Sequence, residues 1–210
     1  MLTSQYTADT ICNAMGLPAF VDRGLPLPLL RLLLMPSFEP EVCITLTGPA
    51  ENACLSVFAL TESLWRQPAP CRLSAWNERI EVPASAVAEM YADFAVALAA
   101  DREATGRMVT LDGMPVEGCR VTSAGVERIA CHPYRPDVSA FVSKLIRLAW
   151  ESCSGAGVRN GLAACARYVG ANFPMEALPL PEERSRVLIL GTPDNRADLL
   201  EQLGRRGEPV

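Results

Sequence analysis

The stretch Glu41-Val42-Cys43-Ile44-Thr45-Leu46-Thr47-Gly48-Pro49-Ala50-Glu51-Asn52-Ala53-Cys54-Leu55-Ser56-Val57-Phe58-Ala59-Leu60 sets the class of fold. In its first part Val42, Ile44 and Leu46 alternate with Cys43, Thr45 and Thr47. That period of two sends successive side chains to opposite faces of a strand. Gly48 to Asn52 supplies turn residues, and Ala53 to Leu60 is a second β-rich run. Together they predict an antiparallel hairpin.

Towards the N-terminus, Leu29 to Met35 is a nearly unbroken apolar run stopped by Pro36, which predicts a buried strand. Ala8 to Met15 has Ile11, Cys12 and Met15 at helical spacing and ends at Gly16-Leu17-Pro18, the pattern of a short helix. Towards the C-terminus, Thr61 to Asn77 contains Trp65, Pro68, Pro70 and Trp76 and reads as irregular, followed by a short strand from Arg79 to Val82. Pro83 suits the first turn of a helix, where its missing N–H costs nothing, and Val87, Tyr91, Phe94 and Leu98 then line one face. Arg107 to Leu111, Val116 to Thr122 and Val126 to Cys131, joined by Asp112-Gly113 and Ser123-Ala124-Gly125, predict a three-stranded meander. A second long helix runs from Asp137 to about Cys153, with Val138, Phe141, Leu145 and Leu148 on its apolar side.

Strands followed by a helix, twice over, predict an α+β fold: an antiparallel sheet of hairpin and meander units with helices packed on one face. The core is expected over residues 1–153. Ser154-Gly155-Ala156-Gly157 reads as a flexible break, and 154–210 as a C-terminal extension packed on the core. Within it, Gly161 to Val169 predicts a helix, Pro174 to Glu183 a proline-rich connector, Val187 to Leu190 a strand and Arg196 to Leu203 a last helix.

Composition narrows the function. The chain has 210 residues, half of them apolar, enough for one sizeable core. Its net charge of -5, with no cluster of Lys and Arg, argues against nucleic acid and leaves room for a basic protein partner. Eight cysteines lie scattered among apolar neighbours without a C-x-x-C pair, the usage of a reducing compartment, so the expected location is the cytoplasm. The first residues lack the basic and apolar regions of a signal peptide. Leu25 to Met35 is shorter than the roughly 20 residues of a bilayer span, so no membrane segment is expected.

His132 is the only histidine and Lys144 the only lysine. This excludes zinc sites needing two histidines, H-E-x-x-H proteases and P-loop or kinase phosphate sites. No metal, cofactor or catalytic residue is expected. Cys131 cannot serve His132 from the next position of a strand, because neighbours point to opposite faces. A small hydrolase or transferase using carboxylates, or a distant Cys with His132, stays open as the second class. Trp65, Arg66, Arg72 and Trp76 share one proline-rich stretch, and Trp and Arg are favoured interface anchors. With His132 at a strand end, they form the expected partner-binding surface. The competing reading is that the tryptophans simply cover a sheet edge.

The run from Arg107 to Trp150, with its Asp112-Gly113 turn and the helix after Pro136, resembles bacterial immunity proteins that bind and neutralise a cognate polymorphic toxin. The resemblance implies a non-enzymatic, cytoplasmic protein-binding protein. The N-terminal helix ending at Gly16-Leu17-Pro18 is similar to that of type III secretion chaperones, which implies an unfolded effector segment as partner. The chain departs from the chaperones in its greater length and over Leu25 to Leu34. Neither resemblance assigns a functional residue. The expected partner is a protein, a toxin or secreted effector, with a homodimer as the other arrangement.

Overall fold

The apolar run at the N-terminal third becomes the innermost strand. In a computed structural model describing residues 7–22, 24, 26–49, 53–64, 73–103, 113–131 and 133–178, Leu29–Leu34 (β1) is buried at all six positions. It pairs on one side with Val42–Thr47 (β2) and on the other with Val116–Thr122 (β5). Cys54–Leu60 (β3) pairs with β2, Ala75–Glu81 (β4) with β3, and Gly125–Cys131 (β6) with β5. The result is a six-stranded, wholly antiparallel sheet in the order β4-β3-β2-β1-β5-β6. The predicted hairpin is β2–β3, in the register Val42↔Ala59, Ile44↔Val57 and Leu46↔Leu55.

Alternation along these strands divides the interior in two. Leu30, Leu32 and Leu34 share one face with Val42, Ile44 and Leu46, beneath the long helices Ala84–Arg102 (α2), Pro136–Ser152 (α3) and Ala156–Ala166 (α4). The α+β expectation of helices packed on one face of an antiparallel sheet is met by these three. Phe94 of α2 meets Phe141 of α3 edge to face at 5.7 Å. At the rim Lys144 binds Glu89 and Asp93, tying the same two helices together. The opposite face, with Leu29, Leu33, Cys43, Cys119 and Val121, packs beneath Ala8–Ala14 (α1) and Phe20. Thr7 caps α1 by accepting the Thr10 N–H, and Gly16, at φ 74°, ends it. Bonds from Gly16 to Asn13 and from Leu17 to Cys12 close a Schellman turn there.

Three local expectations are revised. β4 begins at Ala75, not Arg79, because Trp76 and Asn77 already pair with Ala59 and Phe58. A polar outermost strand carries too little apolar alternation to announce itself. In the expected meander, β5 has β1 and β6 on its two edges, and residues 107–112 lie outside the described residues. Ser154 to Gly157 is no linker. Gly155 is the N-cap of α4, which starts at Ala156 and passes at Arg167–Val169 into a 3-10 turn.

Glycine lets α4 lie close to the sheet. A Cβ on Gly161 would stand 2.7 Å from the Ala59 Cβ, and one on Gly157 would stand 2.4 Å from the Trp76 ring. The chain divides after Ala177 into Met1–Ala177 and Leu178–Val210. The strand predicted over 187–190 and the helix over 196–203 lie outside the described residues.

Gly161→Val is therefore expected to cost about 2 kcal/mol of stability through overpacking against a strand that cannot retreat. Urea denaturation of the variant beside the wild type measures it, and an unchanged midpoint would contradict the close approach.

Candidate protein interface

The register of β4 decides which of its residues face a helix. Trp76, Glu78 and Ile80 stand opposite Ala59, Val57 and Leu55, and so share the face covered by α4. Ala75, Asn77, Arg79 and Glu81 point to the other side. Trp76 lays its ring over Gly157 yet stays 44% exposed. The ring thus covers the sheet edge while nearly half of it stays open.

Two residues along, Glu78 does the work of a helix cap. α4 has no side-chain cap of its own. Glu78 Oε1 accepts the Ser154 N–H and the Ser154 hydroxyl, both at 2.9 Å, and Oε2 accepts the Gly155 N–H at 2.9 Å. Orphan amides at a helix start carry partial positive charge, so a carboxylate there is favoured over a neutral group. Burial pushes the Glu78 carboxyl up, but the bonds from Ser154 and Gly155 outweigh it and hold it below the usual carboxylate range. The neighbouring Cys153 thiol is raised to about 12, by burial first and by the Glu78 charge second.

The outer side of α4 holds a strap formed by residues 171–177. Asn160 receives it as another backbone would: Nδ2 donates to the Glu176 carbonyl at 2.8 Å, and Oδ1 accepts the Glu176 N–H at 2.7 Å. Arg159 pairs with the Glu176 carboxylate and lies 3.7 Å from the centre of the Trp150 ring. Trp150 stacks on Phe173 at 5.0 Å, and Arg147 lies over the same phenyl ring at 5.4 Å. Aromatic stacks and guanidinium–ring contacts of this kind contribute about 0.5–1.5 kcal/mol each. Beyond them Met175 is 61% exposed.

Of the residues expected to form a partner-binding surface, only Trp76 is among the described residues; Trp65, Arg66, Arg72 and His132 lie outside them. Helices α3 and α4 carry a grouping that sequence reasoning missed. Arg159 and Trp150 carry an aromatic–arginine pairing of the kind expected near Trp65, but on helices, where periodicity had marked only the apolar side. Among the described residues no group of three or more His, Cys, Asp or Glu could hold a metal ion. No described helix is long and apolar enough to cross a membrane. Comparison with protein-family models, curated proteins and solved structures finds no match.

Because the Glu78 carboxyl is lowered in the folded protein, its contribution is whole above the unfolded carboxylate range, near pH 4.3, and is lost as pH falls through the lowered value. Glu78→Gln should cost about 1 kcal/mol at neutral pH, as loss of a helix cap does. Thermal melts of both proteins from pH 7 to pH 2 check this: the gap should close in acid, and a constant gap would sink the assignment.

Proposed function

We propose that the chain is a non-enzymatic, cytoplasmic protein-binding protein, in the manner of an immunity protein, and that it receives a basic partner such as a toxin or secreted effector. The observation that carries this is Trp76, half-open on the outermost strand of the sheet. Tryptophan is over-represented among residues that dominate binding energy, because one ring buries a large area and keeps a polar N–H. An outermost strand adds backbone donors and acceptors that an extended partner segment can pair with.

The surroundings support the reading. Asn77, Arg79 and Glu81, exposed on the opposite face of the same strand, offer polar contacts to a partner that wraps this edge. A net charge of -5 favours encounter with a cationic surface. Six described cysteines are free thiols, which suits a reducing compartment. Glu78 and Arg159 serve structural roles: Glu78 caps α4 and Arg159 holds the strap.

Affinity capture from the native host with the tagged full chain, followed by mass spectrometry, tests the proposal. A single stoichiometric basic partner is expected, with capture reduced at least tenfold by Trp76→Ala or Glu81→Arg. Glu81 points away from α4, so its variant should keep the wild-type circular dichroism spectrum and separate lost binding from lost folding. If neither substitution changes what is captured, or nothing is captured, the proposal fails.

A further inference from the structure

The strap of residues 171–177 lies on α3 and α4 much as a segment of another chain would. Among the described residues its last backbone–backbone hydrogen bond runs from the Ala171 N–H to the Ala166 carbonyl. Beyond it the strap belongs to no helix or strand, and side chains of the two helices hold it. Asn160 takes both backbone groups of Glu176: Nδ2 donates to the carbonyl at 2.8 Å, and Oδ1 accepts the N–H at 2.7 Å. A neighbouring strand would offer the same two bonds, and they read backbone, so almost any residue supplies them. Side-chain identity enters at two positions. Phe173 stacks on Trp150 with ring centres 5.0 Å apart, and the Arg147 guanidinium lies 5.4 Å from the phenyl centre. The Glu176 carboxylate pairs with Arg159. Pro174 and Met175, between them, are exposed. The pattern received is an aromatic residue, two free positions and a carboxylate.

The receiving surface does not depend on the strap for its shape. Trp150 follows the buried Ala149 on α3, and Arg159 and Asn160 lie between the buried Val158 and Leu162 on α4. Both helices pack on the sheet, and Glu78 caps α4 from β4. The strap is also an imperfect occupant. It packs on Trp150 and Arg159, and the Nε1 of the first and the Nε of the second are buried without an acceptor among the described residues. A donor stripped of water and left unpaired weakens the closed arrangement. With Arg147 and Arg159 both at the site, the charge it favours is negative.

We propose that the outer face of α3 and α4 is a receptor site for an extended, acidic segment of a partner protein, with an aromatic residue followed three positions on by a carboxylate, and that the strap occupies this site as a built-in competitor. Asn160 and Glu176 are only 16 residues apart, so the strap returns to its place at high effective concentration. A partner segment therefore enters when it outnumbers the strap or brings an acceptor that the strap lacks. This surface is separate from the one around Trp76 and takes the opposite charge.

Fluorescence anisotropy with a labelled, end-blocked peptide of residues 171–177, titrated with the full chain, tests the site. Phe173→Ala/Glu176→Ala in the full chain loosens the strap and leaves the helices untouched. It should tighten apparent peptide affinity about tenfold or more, because a larger fraction of sites stands open. Asn160→Ala added to that variant should weaken binding about tenfold or more, as should Glu176→Gln in the peptide. Circular dichroism checks each fold. Should the double variant unfold, Glu176→Ala alone keeps the aromatic stack and should still give a gain of about threefold. Unfolding of both would make the strap part of the core and overturn the proposal. Equal binding by wild type and loosened variant overturns it too, as does binding that survives Asn160→Ala. Sedimentation of the wild type over a range of concentrations should show a monomer. A dimer that the double variant loses would give the site to the strap of a second copy, again overturning the partner assignment.

Discussion

Strand β1 has to be covered on both faces, and most of the architecture answers that demand. Its leucines alternate between two apolar layers: Leu30, Leu32 and Leu34 lie under the long helices, Leu29 and Leu33 under α1. Arg31 falls on the α1 side, and its partners make the position specific. A slip of one residue in the pairing with β2 would turn every β1 side chain over. The guanidinium would then enter the apolar layer of Ile44, Phe94 and Phe141, away from the Ala19 and Phe20 carbonyls. The buried guanidinium of Arg31 thus fixes the register of the sheet and also fixes the loop after α1, since the carbonyls that solvate it belong to residues 18–20.

At the far end of the sheet the order of dependence is reversed. β4 has little apolar character, and β4 and α4 hold each other through two contacts: Trp76 lies on Gly157, and Glu78 caps the amides of Ser154 and Gly155. An acidic side chain turned inward on an outermost strand also discourages another strand from adding there indiscriminately. On its other side α4 offers Asn160 and Arg159 to the strap, which in turn covers Trp150 with Phe173. Sheet edge, helix and strap thus form one chain of contacts, in which each layer positions the next.

How much of this was legible in the sequence depends on how far apart the partners lie. The β2–β3 hairpin was legible because alternation and the Gly48-Pro49 turn are local, and α2 and α3 because Val87, Phe94, Val138 and Phe141 repeat at helical spacing. β1 showed itself by an unbroken apolar run, the mark of a strand covered twice. β4 was legible only from Arg79 onward, since Trp76-Asn77-Glu78 has no period that distinguishes an outer strand from a loop. Gly155 and Gly157 misled for a plain reason: glycine serves equally where a chain must bend freely and where it must approach another closely. Glu78 and Ser154 stand 76 residues apart, so nothing local could announce that cap. The setting of Arg31 draws on β1, β2, β5 and the loop of residues 18–20, and only the fold assembles them.

The short helix α1 and the outermost strand are not independent. Ala14, at the end of α1, accepts the N–H of Leu73, two residues before β4 begins, and Leu73 and Ala75 pack in the layer that α1 covers. Trp76 is the next residue along the strand. The cover that α1 gives β1 therefore also orders the segment leading into the candidate interface: one backbone bond fixes where that segment enters the sheet, and apolar burial of Leu73 and Ala75 sets which face each later residue of β4 presents. Trp76 falls on the α4 side because Ala75 is held on the α1 side.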